Sequence, residues 1–419
     1  MRKLFLVLAC LSLVKLSAQT DSSDHRKEAE KILRELRAKK RPYLELNGMY
    51  GALTNSVSFA NLAEFSTTDF LTNTDKDDLL KDVNSSLRLG FFKSYGFKYV
   101  EPGYPILDVY HPGQSFGITN HSYIGSKLSS DLVSLLFYGN KPFLGQEMDL
   151  GNSVYESWQY TSLDYCFDWV IDTVFPIHFT VSINAGHNHN YFHINDGSLF
   201  THTSGEHLDL DLEYHVRARD AKTSVLAGIG AGIGVEVDFK LPKKAFLNIK
   251  VSDFGFIAWD GGKVVDVDSS FRFSGLYFDN ILDISDSVSN ANSNRYRNAF
   301  YKDGSTPYTR LTPFKVGVHY KKPLKGNTLK AYSVSANYQY LPGNLPSFIG
   351  ATYFKLSKNQ ELVTELALGS YSNYALNLKY ALQIGKLWKL QLALFNFNSL
   401  VVPTLNGGAV GMLSVQYEL

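Results

Sequence analysis

Apolar and polar side chains alternate strictly over long stretches of this chain, and no other feature restricts its fold as strongly. In residues 225–241 every odd position is apolar, from Val225 to Leu241, and every even position from 228 to 234 is glycine. Successive side chains of a strand point to opposite faces, so a period of two residues predicts a strand with one apolar face. The glycines on the other face leave room for another group to pack closely.

The same alternation recurs in residues 208–217, 332–340, 374–384 and 413–419, with turn residues between the segments. Apart from 413–419, these segments run for about 9–11 residues or more, the length that a tilted strand needs to cross a bilayer, whereas ordinary strands average about five to six. Aromatic residues make up 14% of the chain, and many stand at strand ends, as in Tyr374. Such girdles are typical of outer-membrane barrels. We therefore expect an all-β, antiparallel transmembrane β-barrel over residues 43–419, with a soluble β-sandwich as the alternative.

The N-terminus has the pattern of a secretory signal peptide. Arg2 and Lys3 precede an apolar run, and small residues follow up to Ala18, so we predict cleavage after residue 18 and export to the outer membrane. The run is too short to span a bilayer. A lipobox ending at Cys10 is the alternative.

Three further segments depart from the alternation. Residues 19–42 are strongly charged with helical spacing, which predicts a solvated periplasmic helix or a helix that docks on a periplasmic partner. Residues 54–86 and 126–146 are irregular or helical, and in a barrel such segments form outer loops or a plug inside the lumen. We therefore take as lumen or plug candidates Asn61, Asp131, Asn140, Gly228, Gly230, Gly232 and Gly234.

Charge and cysteine content exclude several protein classes. Lys and Arg number 41 against 40 Asp and Glu, so the basic excess of a nucleic-acid-binding protein is missing. Two Cys in 419 residues rule out a disulfide-stapled scaffold. After signal-peptide cleavage Cys166 remains alone, and we expect it to be a small packed side chain.

Three segments resemble a family of outer-membrane barrels of unknown function from Bacteroidota. They are 130–146, which begins SDLVSLLFYGN, 248–259, which reads NIKVSDFGFIAW, and 312–318, which reads TPFKVGV. That family is similar to the long-chain fatty-acid transporter barrels. The resemblance implies a monomeric barrel of about fourteen strands with an inserted N-terminal plug, and it implies no particular substrate. The transporters carry Asn-Pro-Ala near the mature N-terminus, where this chain has Phe59-Ala60-Asn61-Leu62-Ala63.

Five histidines lie within residues 187–207. Imidazoles two residues apart share one face of a strand, so His187, His189 and His193 are candidate metal ligands, with Asp196 and Glu206 to complete a site. The alternative is a polar hairpin loop that faces the outside.

The residues select no catalytic constellation, so we predict neither an enzyme nor a cofactor. Paired carboxylates such as Asp266 and Asp268 are expected on the wet face of a barrel. Two functions remain open. The first is a transporter that moves hydrophobic or small solutes, and the second is a scaffold or accessory barrel for a surface secretion or attachment machine. A transporter requires a continuous cavity, whereas a scaffold is expected to have a filled lumen.

Overall fold

Strands account for most of the part of the chain that the computed structural model describes. The described residues are 41–65, 76–77, 80–81, 83, 85–101, 105–106, 109–110, 113–170, 176–219, 226–273 and 305–419. The predicted signal peptide and residues 19–40 of the predicted periplasmic helix lie outside them, as does much of the predicted plug segment 54–86. Within the described residues, no helix is long and apolar enough to cross a membrane.

The described residues form twenty strands, and they are β1 (Tyr43–Ser58), β2 (Ser86–Glu101), β3 (Pro105–Ile106), β4 (Val109–Tyr110), β5 (Gln114–Ser129), β6 (Glu147–Asp149), β7 (Ser153–Val170), β8 (Pro176–Thr201), β9 (Leu208–Arg219), β10 (Gly228–Lys240), β11 (Phe246–Trp259), β12 (Gly262–Phe273), β13 (Tyr308–Leu311), β14 (Lys315–Pro323), β15 (Leu329–Gln339), β16 (Ser347–Lys355), β17 (Gln360–Leu368), β18 (Tyr374–Ile384), β19 (Trp388–Phe395) and β20 (Asn406–Glu418). The predicted strand 374–384 matches β18 at both ends. The predicted strand 225–241 shortens to β10, and Val225 lies outside the described residues.

Fourteen of these strands form a closed antiparallel ring. Their order is β1, β2, β5, β7, β8, β10, β11, β14, β15, β16, β17, β18, β19 and β20. The ring closes because β1 also pairs with β20, with Tyr43 opposite Glu418. Closure removes the unpaired edge that a soluble sandwich would keep. The predicted antiparallel barrel of about fourteen strands is confirmed.

The two faces of β10 show how the alternation is used. Ile229 and Ile233 are 58% and 55% exposed on the outside of the ring, whereas Gly228, Gly230 and Gly232 between them are buried. Apolar side chains are likewise exposed on the outer face of most other ring strands, for example Leu163, Ile183, Val334, Leu366 and Leu376. An apolar outer band of this kind is the surface that a bilayer covers.

One alternating segment lies outside the ring, and here the sequence-based expectation was wrong. Residues 208–217 were expected to form a barrel strand, but β9 instead pairs with β12 and with the second half of β8. The reason is that β8 is long enough to change partner. Its residues from Ile177 to Gly186 pair with β10 in the ring, and those from Asn190 to Thr201 pair with β9. We call β9, β12 and the second half of β8 the annex sheet.

Three α-helices are described, α1 (Phe59–Phe65), α2 (Ser130–Tyr138) and α3 (Phe397–Val401). Ser129 caps α2 by accepting a hydrogen bond from the backbone N–H of Leu132. Residues 126–129 of the predicted irregular segment 126–146 continue β5. In α2, Leu132 and Leu135 pack on an apolar cluster of the annex sheet that contains Met148, Ile194, Tyr214 and Val265.

Candidate functional site

A layer of buried side chains, most of them aromatic, crosses the lumen of the ring. Its members come from β2, β5, β7, β11 and two turns, and we name this layer the aromatic septum: Phe92, Tyr123, Trp158, Tyr160, Ile257, Trp259, Leu341 and Tyr371. The rings meet edge to face or tilted, with 6.1 Å between the centroids of Trp158 and Trp259. Such packing between strands from different parts of the ring fills the lumen at this level.

Glycines make room for the septum on the ring wall. A Cβ atom at Gly228 would lie 2.8 Å from the side chain of Ile257, and one at Gly186 would lie 2.8 Å from the ring of Trp259. Both distances are too short for real atoms, so larger residues there would displace the septum. This is the packing role that glycine on a strand face provides. Gly232 and Gly234 instead face Ser182 and Thr180 on β8.

Two donors inside the septum have no hydrogen-bond partner among the described residues. They are the hydroxyl of Tyr160 and the indole N–H of Trp259, on side chains that are 2% and 1% exposed. Buried donors are nearly always paired, because leaving one unpaired costs about 1–3 kcal/mol. The septum therefore carries two hydrogen-bonding positions that the described fold does not use.

A cavity of about 1180 Å³ lies in the lumen between the septum and the end of the ring that holds Tyr43 and Glu418. Its wall includes Tyr43 and Glu418 at that end and Phe92 and His121 at the septum. Many lining side chains are ionisable: Lys98, Glu101, Asp164, Asp168, His178, Glu236, Lys250, Asp253, Lys315 and His319. The cavity is therefore polar and mixed in charge.

A hydrogen-bonded chain joins the cavity to the septum. His121 lies 2.9 Å through Nδ1 from the hydroxyl of Tyr123 and 3.2 Å through Nε2 from Oγ of Ser162, which in turn donates to Asp164. The His121 ring also stacks on Tyr160 at 4.7 Å. Asp164 contacts the serine rather than the histidine, so the order differs from that of a hydrolase triad.

Ion pairs hold the charged side chains of the cavity in place. His178 lies between Asp168 and Asp238, at 2.5 Å and 3.5 Å. Lys250 lies 3.2 Å from Glu236 on the neighbouring strand. These cross-strand pairs fix the positions of the charges on the cavity wall.

A second polar network lies on the other side of the septum. Glu156 is 2% exposed and accepts hydrogen bonds from both Arg310, at 2.7 Å, and Nε2 of His189, at 3.2 Å. Nδ1 of His189 lies 3.0 Å from the hydroxyl of Tyr308, and the guanidinium of Arg310 stacks 4.0 Å above the ring of Tyr191. Since a carboxylate only accepts, Nε2 of His189 carries the proton. The buried charge of Glu156 is thus compensated.

The three histidines proposed as metal ligands do not meet at one point. His187 contacts Thr161 at 2.8 Å, His189 belongs to the Glu156 network, and the ring of His193 lies 6.4 Å from that of His215. A bulge in the pairing of β7 with β8 breaks the common strand face on which the hypothesis depended. Across the described ranges, no group of three or more His, Cys, Asp or Glu side chains has the geometry to hold a metal ion.

The remaining plug candidates lie at the end of the ring opposite Tyr43 and Glu418. Asp131 in α2 accepts a hydrogen bond from the backbone N–H of Asp149, and Asn140 donates to Thr201. Asn61 lies in α1, where its N–H donates to Oγ of Ser58. Each stabilises a local turn or helix end, and a plug role for any of them stays a prediction.

One short segment matches a catalytic sequence motif, but its position in the fold rules out that role. Residues 113–117 read GQSFG and so fit G-x-S-x-G, the spacing of a nucleophile elbow in α/β hydrolases. Ser115 lies inside β5, paired with Val100 and Cys166 in the neighbouring strands. An elbow requires a strand-to-helix turn, so this match does not mark a nucleophile.

The septum itself was not foreseen, although several of its parts left a trace in the sequence. The septum aromatics that lie on strands point to the face opposite the exposed apolar side chains. On β7, for example, Trp158 is on one face and the exposed Leu163 is on the other. An aromatic residue on the face that should line a wet lumen is the signal that could have been used. Tyr371 left no comparable signal, because it lies in a predicted turn.

No family model matches the chain, and no curated protein matches it. The resemblance to a Bacteroidota family therefore stays a prediction. Among solved structures, the chain is similar to a FadL homologue from Pseudomonas aeruginosa, the toluene transporter TbuX from Ralstonia pickettii and the toluene transporter TodX from Pseudomonas putida. The identities are 9%, 7% and 9% and the TM-scores 0.45, 0.44 and 0.43, over 91% of this chain each time and 91%, 90% and 90% of the respective structures.

Proposed function

We propose that this protein is an outer-membrane β-barrel that transports small solutes through its lumen. The observation that carries the proposal is the cavity of about 1180 Å³ that ends at a septum with two unpaired buried donors. A barrel built only as a scaffold has no need for either. The surrounding bilayer is the partner that the exposed apolar outer band requires.

The orientation follows from the lengths of the connections. At the end of the ring that holds Tyr43 and Glu418, four turns have three to five residues: 241–245, 324–328, 356–359 and 385–387. The opposite end carries the annex sheet and α2. Outer-membrane barrels have short periplasmic turns and longer extracellular loops. The cavity therefore opens toward the periplasm, and the septum separates it from the outside.

The lining of the lumen indicates the kind of solute. Ion-paired side chains on the cavity wall disfavour a purely apolar molecule, which would leave charges without solvent. The unpaired hydroxyl of Tyr160 and N–H of Trp259 require an acceptor atom, while the aromatic rings around them favour an apolar face. A small amphiphilic solute with a carbonyl, ether or hydroxyl oxygen fits both parts of the lumen.

Flux into proteoliposomes tests the proposal. Purified protein should accelerate entry of small uncharged solutes with an acceptor oxygen over protein-free vesicles. Trp259→Phe keeps a ring and removes the donor, so it should reduce the flux of such solutes by about tenfold, the value of one lost hydrogen bond. Trp388→Phe, on the exposed outer wall, is the matched control and should leave flux unchanged.

The scaffold remains the second candidate, because the septum closes the lumen as the described residues stand. This interpretation expects no solute flux under any condition. It also expects the surface of the annex sheet or the N-terminal segment 19–42 to bind a protein partner. Absence of flux in both Trp259→Phe and unaltered protein, with a correctly assembled barrel, would favour the scaffold.

A further inference from the structure

Tyr371 differs from most septum residues in the element that carries it. The rings of Phe92, Tyr123, Trp158 and Trp259 stand on strands that are hydrogen-bonded to both neighbours in the ring. Tyr371 instead stands on the turn between β17 and β18, at the extracellular end. A strand of the ring cannot shift without breaking its ladder of backbone hydrogen bonds, whereas a turn can move as a unit.

The side chain of Tyr371 is nevertheless fully buried, because the wall has two gaps that receive it. A Cβ atom at Gly90 would overlap the Tyr371 ring, and one at Gly125 would lie 2.6 Å from its hydroxyl. The ring also packs edge to face on Phe92, with 5.9 Å between centroids. The turn thus inserts one aromatic ring into a slot formed by β2 and β5.

Hydrogen bonds hold the ring in this slot. The Tyr371 hydroxyl donates to the carbonyl of Pro342 at 2.7 Å, in the turn between β15 and β16. Burial raises the pKa of the phenol, so the hydroxyl stays protonated and remains a donor.

Arg88 fastens the turn to the barrel wall. Its guanidinium donates to the carbonyl of Ser370 at 3.2 Å and to Oδ1 of Asn373 at 2.7 Å, on either side of Tyr371. Arg88 is buried, and among the described residues no acid lies within ion-pair distance of it. The side chain of Ser370, whose φ is +62°, adds a bond of 3.0 Å to Asn344. The backbone N–H of Ser370 also donates to the carbonyl of Leu345 at 3.2 Å, so the turn is held by Arg88 and by the neighbouring turn between β15 and β16.

We propose that Tyr371 is the movable gate of the septum and that Arg88 is the positioning residue that keeps it closed. Outward movement of the turn 369–373 withdraws the ring from the slot against Gly90 and Gly125 and joins the cavity to the extracellular side. The proposal rests on the proposed function in that a gate matters to a transporter, but the opening itself can be measured without any solute.

Cys166 supplies a natural reporter for this opening. It lines the cavity on the periplasmic side of the septum, and it is the one cysteine left once the predicted signal peptide with Cys10 is removed. A thiol reagent that crosses neither the bilayer nor the other pores of the outer membrane, added to intact cells, reaches Cys166 only through the septum. The same reagent added to permeabilised cells reaches it through the periplasmic mouth.

The experiment compares the two labelling rates in four variants. Tyr371→Ala removes the gate, and Arg88→Gln and Asn373→Ala release it. We expect each to raise external labelling at least tenfold, with labelling of permeabilised cells unchanged. Lys93→Gln alters an exposed cation on β2, the strand that carries Arg88, and should change neither labelling rate. Cys166→Ser is the blank, and a shift between boiled and unheated samples on a gel shows that each barrel has assembled.

The outcomes separate the gate from the function. Unchanged external labelling in assembled Tyr371→Ala and Asn373→Ala protein overturns the gate. A rise in both rates by the same factor also overturns it, because that is what general loosening of the barrel produces. If external labelling rises and vesicle flux stays at background, the gate stands and the transport function fails. If Arg88→Gln does not assemble, Asn373→Ala still tests the gate, because it removes only the Oδ1 acceptor of the Arg88 hydrogen bond.

Discussion

Gly90 has no side chain at the point where the ring of Tyr371 lies against the barrel wall, and this gap admits the ring that the turn 369–373 inserts into the lumen. The two residues are 281 positions apart, so neither predicts the other. The relationship makes Gly90 as important to closure as the aromatic ring that it receives.

Substitution of Gly90 by alanine should therefore open the septum. The added methyl group overlaps the Tyr371 ring, and overpacking of this kind costs about 1–3 kcal/mol. We expect a lower free energy of unfolding in urea and faster external labelling of Cys166. Gly350→Ala is the control, because a Cβ atom there meets nothing within 4 Å. Equal stability of the two variants would show that the ring does not occupy the slot.

Removal of the Glu156 charge should destabilise the barrel strongly. Glu156→Gln leaves Arg310 partly buried beside His189 without its anion, and breaking a buried pair costs about 3–5 kcal/mol. The control is Asp266→Asn in the annex sheet, because the carboxylate that pairs with Arg217 there is 51% exposed, and a pair with an exposed partner contributes about 0–1 kcal/mol. Thermal unfolding in detergent measures both, and a Glu156→Gln loss as small as the control would contradict a buried network.

Trp259 should respond differently to two substitutions. Trp259→Phe keeps a packed ring and removes an unpaired donor, so we expect the free energy of unfolding to stay within about 1 kcal/mol of the original. Trp259→Ala leaves a cavity at the septum and should cost about 3–5 kcal/mol. A large loss with phenylalanine would mean that the indole N–H has a partner after all.

The two faces of the ring should differ in their tolerance of charge. Ile233→Lys places a cation on the exposed apolar face, where lysine near the middle of a bilayer costs about 2–4 kcal/mol. Asn248→Lys places the same cation in the lumen, beside Glu236 and Asp238. We expect the first to reduce the heat-modifiable, assembled fraction on a gel and the second to leave it unchanged. The reverse result would show that the lumen-facing and outward-facing sides of these strands are assigned the wrong way round.

The alternation of side chains was enough to predict the barrel. It predicted both ends of β18 correctly, and it assigned the glycine and isoleucine faces of β10. It could do so because burial on one side of a strand imposes a period of two, whichever strands pair with it. The same pattern could not tell β9 from a ring strand. β9 and the ring strands each have one apolar face. They differ only in their pairing, because β8 changes partner from β10 to β9 along its length.

The metal hypothesis shows the same limit at finer scale. His187 and His189 share a strand face if the pairing is regular, but the bulge between β7 and β8 turns them to different surroundings. A bulge depends on the partner strand as much as on the strand that carries it, so single-strand periodicity does not reveal it.

The sequence by itself determined the class of structure, since strand length, period and aromatic content are local properties. Tertiary structure alone decided that the lumen is closed and by which residues. Glu156, His189 and Arg310 meet from three strands, and Arg88 reaches Ser370 and Asn373 across the lumen. Such contacts depend on ring closure, which brings distant segments together, and no local pattern records which of them will face each other.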